Sequence, residues 1–165
     1  MAHPRLIDLL LVPGGTIGPR NMQRGGVFLI GLGTFLQAAQ YVSGVPAGLA
    51  GLFALFGVTL VVPWVLLWTK RFRDGGYPSV MALIPIVLFP ILSMILIMIG
   101  LGDIFGDAMS QGMQYPDDRA AMQAAMEEVL MSQQRRVEVT TVIAPIFASL
   151  ALLFGTNTLI KSKQI

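Results

Sequence analysis

The chain has 165 residues, 55% of them apolar and only 12% charged, where soluble proteins carry roughly 25% charged residues. With a mean hydropathy of +0.72, a soluble fold would leave large apolar patches facing water, and a net charge of +2 is too small to point to nucleic acid. Cysteine is absent, which excludes disulfides and thiolate chemistry, and the one histidine, His3, cannot by itself build a triad or a multi-histidine metal site.

The first apolar run, residues 6–12, contains Asp8 and ends in Pro13-Gly14-Gly15 with no small-x-small cleavage pattern. Residues 4–12 read as a retained short helix with Pro4 in its first turn, too short to span about 30 Å of hydrocarbon, lying in the interface or against a bundle. Residues 13–26 are rich in Gly and Pro, carry Arg20 and Arg24, and read as a loop. A first span is expected over 27–42, with Gln37 and Gln40 inside it. Ser43-Gly44-Val45-Pro46 makes a tight turn into a second span over 47–69, closed by Trp64, Trp68 and then Lys70, Arg71 and Arg73. Aromatic rings followed by cations mark a membrane exit. After the turn Asp74–Pro78, a third span runs over 79–101, with Pro85 and Pro90 predicting a bend. The external segment 102–138 is expected to be irregular up to Tyr115 and helical from Pro116, with Met122, Met126, Val129 and Leu130 on one stripe. No glycine or proline separates it from the fourth span at 139–160, so nothing in the sequence stops the two from running on as one long helix bent near Pro145.

Charge sorts with this span count. The N-terminal arm, the 70–78 turn and the C-terminus hold Arg5, Arg20, Arg24, Lys70, Arg71, Arg73, Lys161 and Lys163 against Asp8 and Asp74. The opposite side holds Arg119, Arg135 and Arg136 against Asp103, Asp107, Asp117, Asp118, Glu127, Glu128 and Glu138. Cations near span ends stay cytoplasmic. The expectation is one all-α domain, a four-transmembrane-helix bundle with both termini inside.

No Asp, Glu, Lys, Arg or His falls within the four span cores, which argues against proton relays and ion-coupled carriers. Thr34, Gln37, Gln40, Thr59, Ser93, Thr140, Thr141, Ser149 and Asn157 remain, and interhelical hydrogen bonds are their expected use. Ala47 with Gly51, Ala50 with Ala54, and Gly31 with Gly33 are expected to bring the first two spans together. The external methionines Met109, Met113, Met122, Met126 and Met131 invite a Cu(I) reading, but with no His or Cys beside them packing is the expectation. The acids there lack the alternating-oxygen loop of a calcium site. No metal or cofactor is expected. Two surfaces stand out: a polar or anionic-lipid cluster of Arg20, Arg24, Lys70, Arg71, Arg73 and Asp74, with Asp74 bracing Arg20 or Arg24, and a partner-docking face of Met122, Met126, Val129 and Leu130.

Gly18-Pro19-Arg20-Asn21-Met22-Gln23-Arg24 and Lys70-Arg71-Phe72-Arg73-Asp74-Gly75-Gly76 resemble the paired motifs of the bacterial inner-membrane family known as domain of unknown function 805, over roughly residues 16–101. The first motif carries insertions relative to that family. The resemblance implies a small multi-pass protein of the bacterial inner membrane and no assigned activity. The functional expectation is a non-enzymatic accessory or assembly subunit of a larger membrane complex, respiratory or photosynthetic, with lipids and other integral membrane subunits as partners. The alternative is a small channel or carrier for an uncharged or amphipathic solute using the Gln37/Gln40 face. A third reading is a headgroup sensor acting through Arg71 and Arg73.

Overall fold

Proline and aspartate set several of the helix starts and breaks. The computed structural model describes residues 5–41 and 46–161; His3, Lys163 and residues 43–45 of the expected first turn lie outside the described residues. Among those described there are seven α-helices and no strand. They are α1 (Leu6–Leu11), α2 (Pro19–Ala39), α3 (Ala47–Thr59), α4 (Val61–Asp74), α5 (Leu83–Gly112), α6 (Arg119–Ser132) and α7 (Gln134–Leu159), with a 3-10 turn at Ser79–Ala82 before α5. Three stretches are long and apolar enough to cross a membrane: Gly48–Asp74, Ser79–Gly112 and Gln134–Leu159.

Four boundaries depart from expectation, and most have a local cause. Residues 19–26 are helical rather than loop, because Pro19 occupies the first helical position, where its missing N–H costs nothing. The second span breaks at Leu60. Pro63 has no N–H to offer the Thr59 carbonyl, so the ladder cannot pass through. Beyond Leu101, α5 continues to Gly112, with Leu101, Ile104, Ala108 and Gly112 forming a buried stripe. At 30 residues and about 1.5 Å per residue it is roughly 45 Å long, so one end outreaches the hydrocarbon. Finally, α6 and α7 are separate helices, divided at Gln133 (φ −111°, ψ 18°), which lets α6 fold back on α5. Asp118 starts α6 by accepting from the N–H groups of Ala120 (3.0 Å) and Ala121 (3.1 Å).

The bundle has two chemically distinct ends. At the basic end, α1, the start of α2, the end of α4 and the end of α7 meet, and the main core lies there: Leu9, Met22, Leu29, Leu67, Trp68, Phe72 and Leu153 are among its buried members. A helix of six residues is not stable alone; α1 is held by burying Leu9 and Leu10 against the bundle, while Ile7 and Leu11 stay exposed. At the acidic end, α5 packs on α6 and α7, and Arg136 grips the Asp103 carboxylate with two nitrogens (2.7 and 3.0 Å) and the Gly100 carbonyl (3.0 Å).

Close packing uses glycines other than the expected ones. Gly31 and Gly51 face open space, and Gly33 has only ordinary contact with Leu60. Instead Gly25 and Gly26 seat α2 between Leu67 of α4 and Leu153 of α7; a Cβ on Gly26 would lie 2.5 Å from a Leu153 methyl. Sequence alone reads this Gly-Gly pair as a chain breaker, whereas it is where α2 nests.

Candidate functional site

The Lys-Arg-Phe-Arg-Asp motif closes α4, and each of its three cations ties down a different segment. Lys70 Nζ donates to the carbonyls of Asp8 (2.8 Å) and Leu9 (2.6 Å), capping the C-terminal turn of α1 with a cation. Arg71 is buried. Its Nε donates to Asn157 Oδ1 at 2.6 Å, its Nη2 to the carbonyls of Asn157 (3.2 Å) and Ile160, and its Nη1 pairs with Asp74 one turn on. Asn157 in turn donates to the Pro19 carbonyl at 3.3 Å, so one guanidinium links α4, the end of α7 and, through Asn157, the start of α2. Arg73 Nε donates to Ser79 Oγ (3.0 Å) and its Nη1 to the Pro13 carbonyl (3.3 Å).

The turn that follows is built for this join. Gly76 has φ +78°, its N–H donates to the Arg73 carbonyl (3.0 Å), and the Tyr77 N–H donates to the Phe72 carbonyl (2.9 Å). That is a Schellman ending, which requires a residue at ease in the left-handed region. The usual accompanying apolar contact is present as the edge-on packing of Tyr77 against Phe72, with centroids 6.1 Å apart.

Midway along the bundle lies a cavity of about 490 Å³ between α2, the α3–α4 pair, α5 and α7. Its wall is mainly apolar and aromatic, with Leu29, Val61, Trp64, Trp68, Pro85, Phe89 and Leu152 contributing. Thr34, Gln37, Gln40, Tyr41 and Ser149 supply uncharged polar groups, and no Asp, Glu, Lys, Arg or His lines it. Gln37 lies within the first span expected from sequence, and its packing role now has a cause. Pro145 deprives the Thr141 carbonyl, four residues earlier, of its helical donor; Gln37 Nε2 reaches across from α2 and donates to that carbonyl at 2.9 Å. A neighbouring helix repairing a proline's gap is what an apolar medium demands.

This repair gives a sharp expectation. Gln37→Leu should cost about 0.6–2 kcal/mol of stability in the wild-type chain. In a Pro145→Ala background the same change should cost almost nothing, because the restored N–H recaptures the Thr141 carbonyl. Equal losses in both backgrounds, measured by denaturant titration in detergent, would refute the link.

The residues singled out from sequence divide as follows. Lys70, Arg71, Arg73 and Asp74 do converge, but Lys70 and Arg71 are 2% and 1% exposed and spend their donors on protein groups, so they are not presented to lipid headgroups. Asp74 braces Arg71 within its own helix. Arg20 and Arg24 are exposed, and among the described residues neither makes an ion pair. On α6, Met122 and Met126 press on Gly112 of α5, where an added Cβ would sit 3.0–3.1 Å from their atoms; Val129 and Leu130 are half-buried. The expected docking stripe is therefore used inside the chain at Met122 and Met126. Trp68, read as a headgroup-level ring, is 2% exposed and stacks on Trp64 with centroids 6.4 Å apart. Sequence reasoning missed the cavity roles of both tryptophans; the i, i+4 spacing of Trp64, Trp68 and Phe72 was the available signal. No family model matches this chain, and neither does any curated protein or solved structure.

Proposed function

We propose that this is a four-span, non-enzymatic protein of the bacterial inner membrane, both ends cytoplasmic, that binds a small uncharged amphipathic molecule within the bundle, as a carrier or channel for such molecules would. The observation that carries this is the cavity's lining: apolar and aromatic walls, a handful of neutral hydrogen-bonding groups, and no charged side chain. Pockets of roughly 300–1,000 Å³ with a few convergent polar groups are the usual form of a small-molecule site. A charged solute would be left without a counter-charge in a low-dielectric interior, at heavy cost.

The topology draws support from the basic end, where the three cation-rich segments meet in one place through Lys70, Arg71 and Arg73. The fourth crossing would be α2, whose 21 residues reach roughly 31 Å at about 1.5 Å each. On the cytoplasmic face the exposed Arg20 and Arg24 are among the cations placed to meet anionic lipid. The motif resemblance accords with a small multi-pass inner-membrane protein. The accessory-subunit reading rested on what the sequence lacks (an ionisable intramembrane group, a catalytic set, a large soluble domain), and the stripe expected to dock a partner is partly covered by α5, so the cavity is the stronger basis.

The test is whether protein extracted under mild conditions retains an uncharged small molecule that a cavity-filled variant does not. Gly57→Phe is the variant of choice, since Gly57 lines the cavity and a Cβ there meets nothing within 4 Å.

A further inference from the structure

The cavity is not uniform along its length. The end where α2 finishes holds Gln37, Gln40 and Tyr41, while the end nearer the close of α4 holds Trp64, Trp68 and Phe89 with its neighbour Pro85. Along α2 the lining runs from Leu29 to Tyr41, about 18 Å at roughly 1.5 Å per residue. At the polar end each glutamine has one of its two amide N–H groups engaged. Gln37 Nε2 donates to the Thr141 carbonyl at 2.9 Å, Gln40 Nε2 to the Leu36 carbonyl at 3.2 Å, and the Tyr41 hydroxyl is shared with Thr141 Oγ1 at 3.4 Å. Among the described residues the two amide oxygens accept no hydrogen bond. A primary amide carries two N–H donors and one carbonyl acceptor, so each glutamine keeps one N–H and its oxygen for a ligand. A head that both donates and accepts, as a hydroxyl does, complements this end most fully.

Resting on the binding function proposed above, we infer that the ligand is a neutral hydroxyl-bearing amphiphile, held in one orientation. Its O–H donates to the Gln40 amide oxygen, its own oxygen accepts a remaining amide N–H, and its apolar body runs toward Trp64 and Trp68. A ketone or ester of the same shape has no proton to give and binds more weakly. An anionic or cationic analogue has no counter-charge to meet.

The chain's two tryptophans are Trp64 and Trp68, and both line the cavity, so intrinsic fluorescence reads the orientation directly. The protein in lipid nanodiscs is titrated with a long-chain primary alcohol brominated at its tail, and with the isomer brominated at C2, next to the carbon that bears the hydroxyl. The tail-brominated alcohol should quench saturably. The head-brominated isomer should displace it yet quench far less, and Gly57→Phe should abolish the saturable part, separating it from quenching by alcohol dissolved in the bilayer. Gln40→Leu should weaken the alcohol about tenfold, the worth of one neutral hydrogen bond, and weaken a matched methyl ether, which gives the amide oxygen no proton, by less. Equal quenching by the two isomers overturns the orientation. Equal affinity for the alcohol and its methyl ether overturns the hydroxyl class. If the alcohols fail while extracted protein still carries a neutral molecule lost in Gly57→Phe, the inference falls and the binding function stands; if no such molecule is carried either, both fall.

Discussion

Replacing Arg71 with methionine is expected to remove about 3–5 kcal/mol of stability, the scale seen when one member of a buried, hydrogen-bonded charge pair is deleted. The loss has identifiable parts. Asn157 Oδ1, the carbonyls of Asn157 and Ile160, and the Asp74 carboxylate each lose a donor at once, and the end of α7 comes free of α4. Asp74 is 17% exposed, so water recovers some of its share, which places the expectation toward the lower part of that range. Arg71→Lys should rescue little, because an ammonium offers three donors from a single point where the guanidinium reaches several acceptors in different directions. Arg24→Met, at an exposed cation in the companion motif, should change stability by less than about 0.5 kcal/mol. Denaturant titration of the purified variants in a fixed detergent separates these outcomes. Similar losses for Arg71→Met and Arg24→Met would mean that the motif acts through general charge rather than through this join.

Gly26→Val should cost about 2–3 kcal/mol, by forcing an overpacked core to shift. A Cβ alone would stand 2.5 and 2.7 Å from the Leu153 methyls and 3.2 Å from its Cγ. Leu153 is 0% exposed, so it must shift within the core rather than into solvent, and valine adds two further methyls to the same spot. The same substitution at Gly31, on the same helix, meets nothing within 4 Å and should be close to neutral. Combining Gly26→Val with Leu153→Ala should cost less than the sum of the two, since each relieves the other's misfit. Strict additivity would show that α2 does not nest against α7 at this point.

The helical character of the chain was legible from its apolar runs, but the cation–aromatic border that closed the expected second span at Thr69 falls inside α4, which runs on to Asp74. What could not be read were features that depend on which helices become neighbours. Residues 19–26 looked like a loop because Gly and Pro ordinarily break helices; only contact with Leu67 and Leu153 makes Gly25 and Gly26 advantageous inside one. Pro145 announced an unsatisfied carbonyl at Thr141, yet nothing in its own segment says that Gln37, on another helix, supplies the donor. The α6 methionines formed a clean amphipathic stripe, but a stripe does not state whether its partner is internal; the partner here is Gly112, in a stretch read as irregular. The basic motif was recognised as distinctive for its charge. Its structural use rests on Asn157 and on backbone carbonyls, which carry no signature in sequence.

The most direct test of the binding function is native mass spectrometry of the protein released from its own membrane in mild detergent. The expected result is an adduct of one uncharged small molecule on the wild-type chain, lost from Gly57→Phe while that variant keeps its fold. Wild-type protein that emerges bare, or an adduct that survives filling of the cavity, would contradict it.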